Sequence, residues 1–416
     1  MKILLRTFGC RANQYDTEAV RAMIAAAGAE EALCAEDADA AVFNSCSVTA
    51  AAEADLRADV RRVARRNPAI RAVIMGCAPG VPRDEATAPL GTLPSVSNVI
   101  PGADIPAIAA ALGLGYASGL EPAVMQTGSR ALLRIQDGCD EHCTFCATTL
   151  ARGANRSRST DDIVREAAAL ALSHPEIVVT GIHIGSYGAD CGTSLGDLLQ
   201  RLIDDVPDVR FRITSVEATE VDDTLRTLFH GDARRLAPYL HAPLQSGSDS
   251  VLKRMGRHWY SADQYAESVE RIVDGREGFA LSADLIAGFP GETDADHRAS
   301  MALVERLPFT SLHVFPYSQR PGTAAVRLGD KVGSPLAARR AAELRGIAAR
   351  KSLAHYSRRA GGRADVVVVG RGDGLTEDYL SVRVADSTLP RRARFDATLA
   401  FAEGRLTATP LPTPYR

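Results

Sequence analysis

The sequence predicts an α/β protein in three parts: an N-terminal open parallel α/β domain, a central partial (β/α)6 barrel and a small C-terminal β-barrel. Strand and helix patterns alternate in two separate segments, as they do in parallel sheets that are covered by helices. The last segment shows only short strands and turns, which is typical of a small barrel. A chain of 416 residues is also too long for one ordinary core and suits two or three domains.

The N-terminal domain is predicted at 1–115. Its strand patterns lie at 2–8, 38–45, 69–76 and 96–100, and its helical patterns lie at 16–30, 51–67 and 105–113. The stretch 113–129 is rich in Gly, Ser and Pro, which is the composition of a linker. The alternation predicts a parallel sheet whose strand ends meet at one edge.

The central barrel domain is predicted at 125–335. Six strand patterns lie at 131–136, 176–182, 209–216, 237–244, 280–288 and 311–317, with helical patterns between them, for example at 160–172, 194–206 and 265–275. Six consecutive strand–helix units predict an open barrel, and functional groups are then expected at the carboxyl ends of its strands.

An arginine-rich connecting helix is predicted at 336–361 and the C-terminal domain at 362–416. The strand patterns of that domain lie at 364–370, 376–385, 393–401 and 405–411. Residues 331–416 contain 16 Lys and Arg and 8 Asp and Glu, which gives them a formal charge of +8. Because the whole chain has a net charge of −3, the rest of it carries −11. A basic piece on an acidic body suits a polyanionic partner, although a solvated helix face would have the same composition.

Composition also bears on the compartment. The chain has no run of about eighteen apolar residues, so we expect no membrane-spanning helix. The apolar stretch in MKILLRTFGC is too short for a signal peptide. Eight cysteines without a secretory signal indicate a reducing compartment, where thiols bind metals or react. These features predict a cytoplasmic protein.

Three cysteines stand close together in the run IQDGCDEHCTFC. Cys139, Cys143 and Cys146 have the spacing C-x3-C-x2-C, directly after a predicted strand. Three thiolates can hold three irons of a cubic iron–sulfur cluster and leave the fourth iron open to a ligand. A zinc site with His142 as fourth ligand is the alternative, but adjacent His142 and Cys143 would have to bend back onto one ion.

A second set of cysteines is dispersed through the N-terminal domain. Cys10, Cys46 and Cys77 each follow a predicted strand, and glycine precedes the first and the third. Because the carboxyl ends of parallel strands face one crevice, the three thiols are predicted to converge on a second cluster. Three separate core cysteines remain the alternative, since buried free cysteine is common.

Other strand ends carry groups that could contact a cofactor, because glycine admits a close ligand and a carboxylate can take ribose hydroxyls. These are Thr180, Gly181, Glu217, Gln245 and Gly288. Three arginines follow the cysteine loop and could hold the phosphates or carboxylate of a substrate, or simply be solvated. They are Arg152, Arg156 and Arg158.

The chain resembles the radical S-adenosylmethionine methylthiotransferases over nearly its whole length. The matching runs are TFGCRANQYDTE, NSCSVTAAAEADLR, MGC, IQDGCDEHCTFC with RG and RS following, TGIHIGSYG, PLQSGSDSVLKRM, GFPGETD and HVFPYSQRPGTAA. The resemblance implies a radical [4Fe–4S] cluster on Cys139, Cys143 and Cys146. It also implies an auxiliary [4Fe–4S] cluster on the three dispersed cysteines, cofactor contact by Phe145, and an RNA-binding TRAM-like C-terminal barrel.

The resemblance further implies the chemistry. The open iron of the radical cluster would chelate S-adenosylmethionine, and one electron, from a small donor protein, would give a 5′-deoxyadenosyl radical that abstracts hydrogen from an unactivated carbon. The auxiliary cluster would carry the sulfur, methylated by a second S-adenosylmethionine.

Three substrates occur in that family: adenosine beside the tRNA anticodon bearing a threonylcarbamoyl group, the same adenosine bearing an isopentenyl group, and an aspartate of a ribosomal protein. The runs NQYDTE and HVFPYSQR are most similar to the threonylcarbamoyladenosine branch. Two positions depart from the family pattern, the segment Ala147 to Ala151 and Ala218. A non-catalytic RNA-binding protein with two structural metal sites is the alternative of a different class.

Overall fold

The computed structural model describes residues 1–47, 50–81, 88–116, 125–276 and 278–412. It divides into two compact units. The first, here the cysteine unit, comprises Met1–Val124, Gln136–Arg156 and Ser318–Arg327. The second, the barrel unit, comprises Met125–Ile135, Ser157–Tyr317 and Leu328–Arg416. Part of the stretch predicted as a linker, 117–124, lies outside the described residues.

The cysteine unit is built on a five-stranded parallel sheet. Its elements are β1 (Lys2–Thr7), α1 (Arg11–Ala26), β2 (Glu30–Glu31), β3 (Ala40–Ser45), α2 (Ala50–Arg66), β4 (Arg71–Gly76), β5 (Val96–Pro101) and α3 (Ile105–Leu112). The strand order is β2-β1-β3-β4-β5, all parallel. Two apolar clusters cover its two faces, and β3 is buried along its whole length. The predicted open parallel sheet is confirmed.

The chain order reverses between β1 and β3, which makes the gap between their carboxyl ends the switch point of the sheet. From β1 the chain first moves to β2 on one side and then crosses to β3 on the other. In open α/β sheets such a point leaves a crevice, and ligands bind there. Cys10 and Cys46 follow these two strands.

The remaining α/β elements mostly alternate between strand and helix. They are β6 (Ala131–Arg134), β7 (Gln136–Asp137), α4 (Thr148–Arg152), β8 (Arg156–Ser157), α5 (Thr160–Ala171), β9 (Glu176–Thr180), α6 (Leu195–Asp205), β10 (Arg210–Ile213), α7 (Asp223–Phe229), β11 (Tyr239–His241), α8 (Asp249–Arg254), α9 (Ala262–Val273), β12 (Ala280–Ala287), α10 (Asp294–Arg306), β13 (Phe309–Pro316) and α11 (Ser334–Arg359). The exceptions are that β7 follows β6 directly and α9 follows α8.

Six of these strands form the predicted partial barrel. The barrel unit has two parallel three-stranded sheets, β6-β9-β10 and β11-β12-β13. Parallel bridges from Ser215 to His241 and from Phe211 to Leu236 continue the order from the first sheet to the second. The six strands therefore lie side by side in chain order, with β6 and β13 at the edges.

Each barrel strand turns alternate side chains to the helices. On β12, Ala283 and Leu285 belong to the same buried cluster as Val304 of α10 and Leu344 of α11. Asp284, between them, points to the opposite face of the sheet. This second face, here called the helix-free face because the cluster shared with α10 and α11 lies on the other one, carries the polar cluster of the barrel unit that is described below.

The C-terminal strands close into a five-stranded barrel around their own apolar core. They are β14 (Arg363–Gly370), β15 (Asp373–Thr376), β16 (Ser381–Val384), β17 (Arg394–Ala402) and β18 (Arg405–Pro410). The order around the barrel is β14-β15-β16-β18-β17. The predicted small β-barrel is confirmed.

A buried ion network joins the two barrels of this unit. Glu176 on β9 accepts hydrogen bonds from Arg210 (2.6 Å) and Arg212 (2.8 Å), and all three side chains are fully buried. Arg210 also donates to the carbonyl of Asp365 on β14 (2.9 Å). Burial opposes the charge of Glu176, but Arg212 and Arg210 hold the pKa of its carboxyl well below the ordinary value.

Within the described residues, no helix is long and apolar enough to cross a membrane.

Candidate functional site

The dispersed cysteines all lie at the carboxyl edge of the sheet in the cysteine unit. Cys10 ends the turn after β1 and precedes α1, Cys46 follows β3, and Cys77 follows β4. Cys46 and Cys77 are buried, whereas Cys10 is exposed. Burial raises the pKa of the Cys77 thiol, and the neighbouring Cys10 and Cys46 add to that rise, so the three thiols influence one another electrostatically.

Asn13 lies among these thiols and has no exposed surface. Its Oδ1 accepts from the Cys10 thiol (3.3 Å), and its Nδ2 lies 4.0 Å from the Cys77 sulfur. The same Nδ2 donates to Asn44 Oδ1 (2.9 Å) and to the Ser45 carbonyl (3.1 Å). The sequence interpretation gave Asn13 no role. Its position three residues after Cys10, on the first turn of α1, is the signal that could have identified it.

Gly9 lets the backbone approach Cys46. Its φ is +118°, and a Cβ there would lie 2.6 Å from the Cβ and 2.9 Å from the sulfur of Cys46. Only glycine avoids both the contact and the backbone strain. Glycine at position 9 therefore allows the turn that carries Cys10 to pack directly against Cys46.

The cysteine loop 139–146 belongs to the same unit and turns amide groups toward its sulfurs. The Glu141 amide donates to the Cys139 sulfur (3.4 Å), and the Thr148 amide donates to the Cys146 sulfur (3.4 Å). Backbone hydrogen bonds from Cys139 to Gly153 (3.0 Å) and from Cys146 to Cys143 (3.1 Å) fix the loop. Amides aimed at sulfur stabilise anionic thiolates and the clusters that they hold. His142, the possible fourth zinc ligand, is exposed.

Neither set of cysteine sulfurs is grouped tightly enough for a single metal ion. Among the described residues, the one group of three ligand atoms within 4.8 Å of one another is His241, Asp284 and His313, and neither cysteine set meets that limit. Thiolates on one tetrahedral zinc, with bonds of about 2.3 Å, would lie about 3.8 Å apart. A cubic cluster spreads its cysteines over separate irons and needs the wider spacing.

Arg152 connects the two cysteine sets within this unit. It ends α4, and its side chain is 2% exposed. Its Nε donates to the Cys77 sulfur (3.3 Å), Nη1 donates to Asp137 (3.1 Å) and Nη2 donates to Asp16 on α1 (2.8 Å). Burial opposes its charge, yet Asp16 and the Cys77 sulfur raise its pKa above the ordinary value. The sequence suggested that Arg152 holds a substrate phosphate or carboxylate. In the structure its side-chain nitrogens instead donate to these three residues of the cysteine unit.

The atypical segment Ala147 to Ala151 forms most of α4 and brings Arg152 into place. Gly80, in the turn after Cys77, packs against it: a Cβ on Gly80 would lie 2.9 Å from the Ala151 carbonyl oxygen. The other two arginines differ from Arg152. Arg156 is exposed in the cysteine unit, whereas Arg158, in the barrel unit, pairs with Glu166 at 2.7 Å.

The predicted cofactor contacts of the barrel unit lie at or just after strand ends. Thr180 is buried and its carbonyl accepts from Ile135 (2.9 Å), while Gly181 is half-buried. Gln245, at φ +64°, is bridged to β12. Phe145, in the cysteine unit, is half-buried.

Two of these contacts have clear structural partners. Glu217 accepts from Trp259 Nε1 (2.6 Å) and pairs with Arg257, whose guanidinium lies over the Trp259 ring. Gly288, at φ +74°, approaches α11 so closely that its Cβ would lie 2.3 Å from the Cβ of Ala337. Packing therefore accounts for glycine at 288, and Arg257 and Trp259 fix the orientation of the Glu217 carboxylate.

A polar cluster that the sequence interpretation missed lies on the helix-free face of the barrel. Asp284 on β12 is 3.3 Å from His241 Nε2 on β11 and 3.3 Å from His313 Nδ1 on β13. The other nitrogen of His241, Nδ1, shares a hydrogen bond with Ser282 Oγ (2.7 Å). Burial opposes the charge of Asp284, but the two histidines lower the pKa of its carboxyl well below the ordinary value. The three residues are far apart in sequence, so only the strand register reveals the cluster.

Two protein-family models match separate parts of the chain. A model described as an uncharacterized protein family, UPF0004, matches residues 2–93, and the Radical SAM superfamily model matches residues 133–304.

Two curated relatives are named threonylcarbamoyladenosine tRNA methylthiotransferase MtaB. The protein from Thermotoga maritima is 34% identical over 78% of this chain and 77% of its own length. The protein from Bacillus subtilis is 33% identical over 79% of this chain and 76% of its own length. A tRNA-2-methylthio-N(6)-dimethylallyladenosine synthase from Sorangium cellulosum is 33% identical over 88% of this chain and 81% of its length.

Among solved structures, the radical S-adenosylmethionine methyltransferase TsrM from Kitasatospora setae is similar in fold. The structural match covers 75% of this chain and 72% of the TsrM chain, with a TM-score of 0.57 and 13% sequence identity. At that identity the likeness concerns the fold alone.

Proposed function

The chain belongs to the radical S-adenosylmethionine methylthiotransferase family, and from that premise we propose that it replaces the C2 hydrogen of N6-threonylcarbamoyladenosine in tRNA with a methylthio group. The observation that carries the proposal is the presence of two sets of three cysteines in one compact unit, with amides, a glycine and Asn13 arranged around their sulfurs.

Cys139, Cys143 and Cys146 hold the radical cluster in this proposal. A [4Fe–4S] cluster on three cysteines keeps one iron open for S-adenosylmethionine and supplies the electron that starts radical chemistry. The chain's own part is to hold the loop rigid through the Cys139–Gly153 and Cys146–Cys143 hydrogen bonds. A C–H bond at C2 needs such chemistry, because no side-chain base can remove its hydrogen as a proton.

Cys10, Cys46 and Cys77 hold a second [4Fe–4S] cluster, whose open iron is the site for the transferred sulfur. The place of Cys10 and Cys46 at the switch point of the sheet, the position of Cys77 after the next strand and the close approach of Gly9 to Cys46 support this assignment. Two clusters require about eight irons per chain, whereas a single radical cluster requires about four.

The methionine-derived cofactor lies at the carboxyl ends of the barrel strands. We assign its contacts to Phe145, Thr180, Gly181, Glu217, Gln245 and Gly288. The carboxylate of Glu217, fixed by Arg257 and Trp259, is suited to ribose hydroxyls. Arg156, which is exposed, and Arg158 are the arginines assigned to substrate.

The His241–Asp284–His313 cluster favours a polar adenosine substituent. A threonylcarbamoyl group offers urea N–H, hydroxyl and carboxylate groups to these side chains, whereas an isopentenyl group is hydrocarbon. His313 is 60% exposed, so polar groups of the substituent can replace its hydrogen bonds to solvent. Hydrocarbon would exclude that solvent without replacing the hydrogen bonds, at a cost of about 1–3 kcal/mol for each one lost. The names of the Thermotoga and Bacillus relatives point the same way. Isopentenyladenosine and a ribosomal-protein aspartate remain the competing substrates.

The same proposal includes the domain bounds 1–115, 125–335, 336–361 and 362–416, with the last domain binding tRNA as a TRAM-like module. The basic charge of the C-terminal part supports a nucleic-acid partner. A small electron-donor protein completes the reaction, and the reducing compartment that the cysteines indicate is the cytoplasm.

The decisive experiment is mass spectrometry of tRNA nucleosides from cells with and without this gene. We expect the 2-methylthio form of threonylcarbamoyladenosine to disappear on deletion while its precursor accumulates. The wild-type gene should restore it, and a Cys143→Ala variant should not. Loss of 2-methylthio-isopentenyladenosine instead would transfer the proposal to that substrate, and an unchanged nucleoside profile would contradict a tRNA role.

A further inference from the structure

We propose that Arg152 is a positioning residue that controls the reduction potential of the auxiliary cluster, and that it does so by hydrogen bonding to the sulfur of Cys77. The inference rests on the proposed function in one respect, that Cys77 is a cluster ligand. It goes beyond that function by assigning a redox role to a residue outside both sets of ligands.

The burial and the hydrogen bonds of Arg152 make it poorly suited to bind a substrate that arrives from the solvent. The side chain is 2% exposed, and its three nitrogens donate to three different groups: Cys77, Asp137 and Asp16. A buried guanidinium without such partners would be costly, and its planar fork fixes the direction of each bond. Asp16 and Asp137 therefore aim the Nε–H at the sulfur.

The position of Arg152 in the chain links the loop of one cysteine set to a cysteine of the other. It lies six residues after Cys146, on α4, and α4 packs against the turn that follows Cys77. One side chain is thereby fixed to the loop of the radical cluster and touches a ligand of the other cluster. Arg156, four residues on, is 59% exposed and pairs with Asp137 only at 3.8 Å, so it provides a natural comparison.

Hydrogen bonds to cysteine sulfur and nearby charge set the potential of iron–sulfur clusters. A cation and an N–H donor stabilise the more negative, reduced form. Loss of the Arg152 contact should therefore make the auxiliary cluster harder to reduce and move its midpoint potential to a more negative value. A merely structural role would change iron content or stability without moving that potential.

The test uses the full-length protein with Cys139, Cys143 and Cys146 changed to alanine, so that only the auxiliary cluster remains. Arg152→Gln and Arg152→Lys are compared in this background, with Arg156→Gln as the matched control. Iron content and an EPR-monitored redox titration are measured for each. We expect about four irons throughout, a more negative midpoint potential for Arg152→Gln, a smaller shift for Arg152→Lys and no shift for Arg156→Gln.

Several results would overturn the inference. A midpoint potential unchanged in Arg152→Gln and Arg152→Lys at full iron content would reduce Arg152 to a packing role. If Arg152→Gln does not fold, Arg152→Lys decides alone, because it keeps the charge but loses the Nε donor. If the parent without Arg152 substitutions holds no iron, the auxiliary-cluster assignment fails first and the inference falls with it. The converse background, with Cys10, Cys46 and Cys77 changed to alanine, should show no shift for the radical cluster.

Discussion

At the scale of single residues, one glycine decides how closely the backbone approaches the sulfur of Cys46. Gly9→Ala places a methyl group 2.9 Å from that sulfur at a φ of +118°. Gly28→Ala is the matched control, because Gly28 also has a positive φ, +71°, but nothing lies within 4 Å of its Cβ. Backbone strain of about 1–3 kcal/mol is common to both variants.

Only the variant at Gly9 should affect the cluster. We expect Gly9→Ala to lose iron from the auxiliary site as well as stability, whereas Gly28→Ala loses stability alone. Iron analysis and thermal unfolding of the two purified proteins measure these effects. Equal iron content in both variants would show that the close approach of Gly9 to Cys46 is not needed for a cluster.

His313 is the most exposed member of the His241–Asp284–His313 cluster, at 60% of its side chain. His313→Leu keeps the bulk but removes one polar partner, which we expect to lower kcat/KM for threonylcarbamoyladenosine tRNA by roughly tenfold, the value of one hydrogen bond of about 1.4 kcal/mol. Iron content should stay unchanged. Parallel assays with isopentenyladenosine tRNA complete the measurement, and equal losses on both substrates would argue against a role in discrimination.

The placement of a residue could be predicted from the sequence where it depends on the order of strands and helices along the chain. It could not be predicted where it depends on the register between strands. Cys10, Cys46 and Cys77 follow strands, so their common edge could be inferred. Asp284 and His313 lie within strands, and their contact depends on the pairing of β12 with β13. Asn13 likewise owes its role to a helix turn that places it among thiols.

At the scale of elements, a buried ion network links the paired strands β9 and β10 to β14 of the C-terminal barrel. Glu176→Gln would leave Arg210 and Arg212 buried with reduced compensation, so we expect a loss of about 3–5 kcal/mol in the free energy of unfolding at neutral pH. Asp162→Asn is the control, because Asp162 pairs with Arg165 at the surface, and it should change stability by less than about 0.5 kcal/mol.

The pH dependence of that difference follows from the lowered pKa of Glu176. A carboxyl with a depressed folded-state pKa stabilises the fold above its ordinary value of 4.5. That stabilisation is lost as the pH falls below this value toward the folded-state pKa. Urea unfolding of the wild type and of Glu176→Gln should therefore differ most at neutral pH and converge in acid. A constant difference across this range would contradict the network.

Element boundaries were predictable where periodicity is long. The patterns at 2–8, 336–361 and 393–401 correspond closely to β1, α11 and β17. The two-residue strands β2, β7 and β8 were not predicted, because two residues are too few to show a period. Sheet order was also beyond the sequence, since the same alternation of strands and helices is compatible with several orders.

At the scale of the whole molecule, the compact units do not follow the chain in order. Residues 136–156 belong with the N-terminal sheet, although strands of the barrel unit precede and follow them. Sequence patterns describe neighbours along the chain, whereas ion pairs such as Arg152–Asp16 join residues that are far apart. Both cysteine sets thereby fall in one unit, which a linear division into domains would not reveal.

Much of the basic charge of the C-terminal part is neutralised inside the barrel unit, so only part of it can meet tRNA. Arg340 pairs with Glu292, Arg359 with Asp378 and Arg394 with Asp365. Arg371, Arg383 and Arg405 are exposed on the C-terminal barrel, and Arg383 pairs there with the exposed Asp373 at 3.4 Å. Their joint replacement by Gln should weaken tRNA binding whatever the tRNA sequence and lower the salt dependence of binding by roughly one unit of slope per lost phosphate contact.

The matched control replaces three exposed arginines of α2, Arg61, Arg65 and Arg66, by Gln. This change removes the same charge from the cysteine unit. Filter binding or fluorescence anisotropy at several salt concentrations compares the two triple variants with the wild type. Because net charge falls equally in both, a larger loss of affinity and slope in the C-terminal variant assigns RNA contact to that barrel. Equal losses would mean that tRNA responds to overall charge, and the RNA-binding assignment of the C-terminal barrel would then fail.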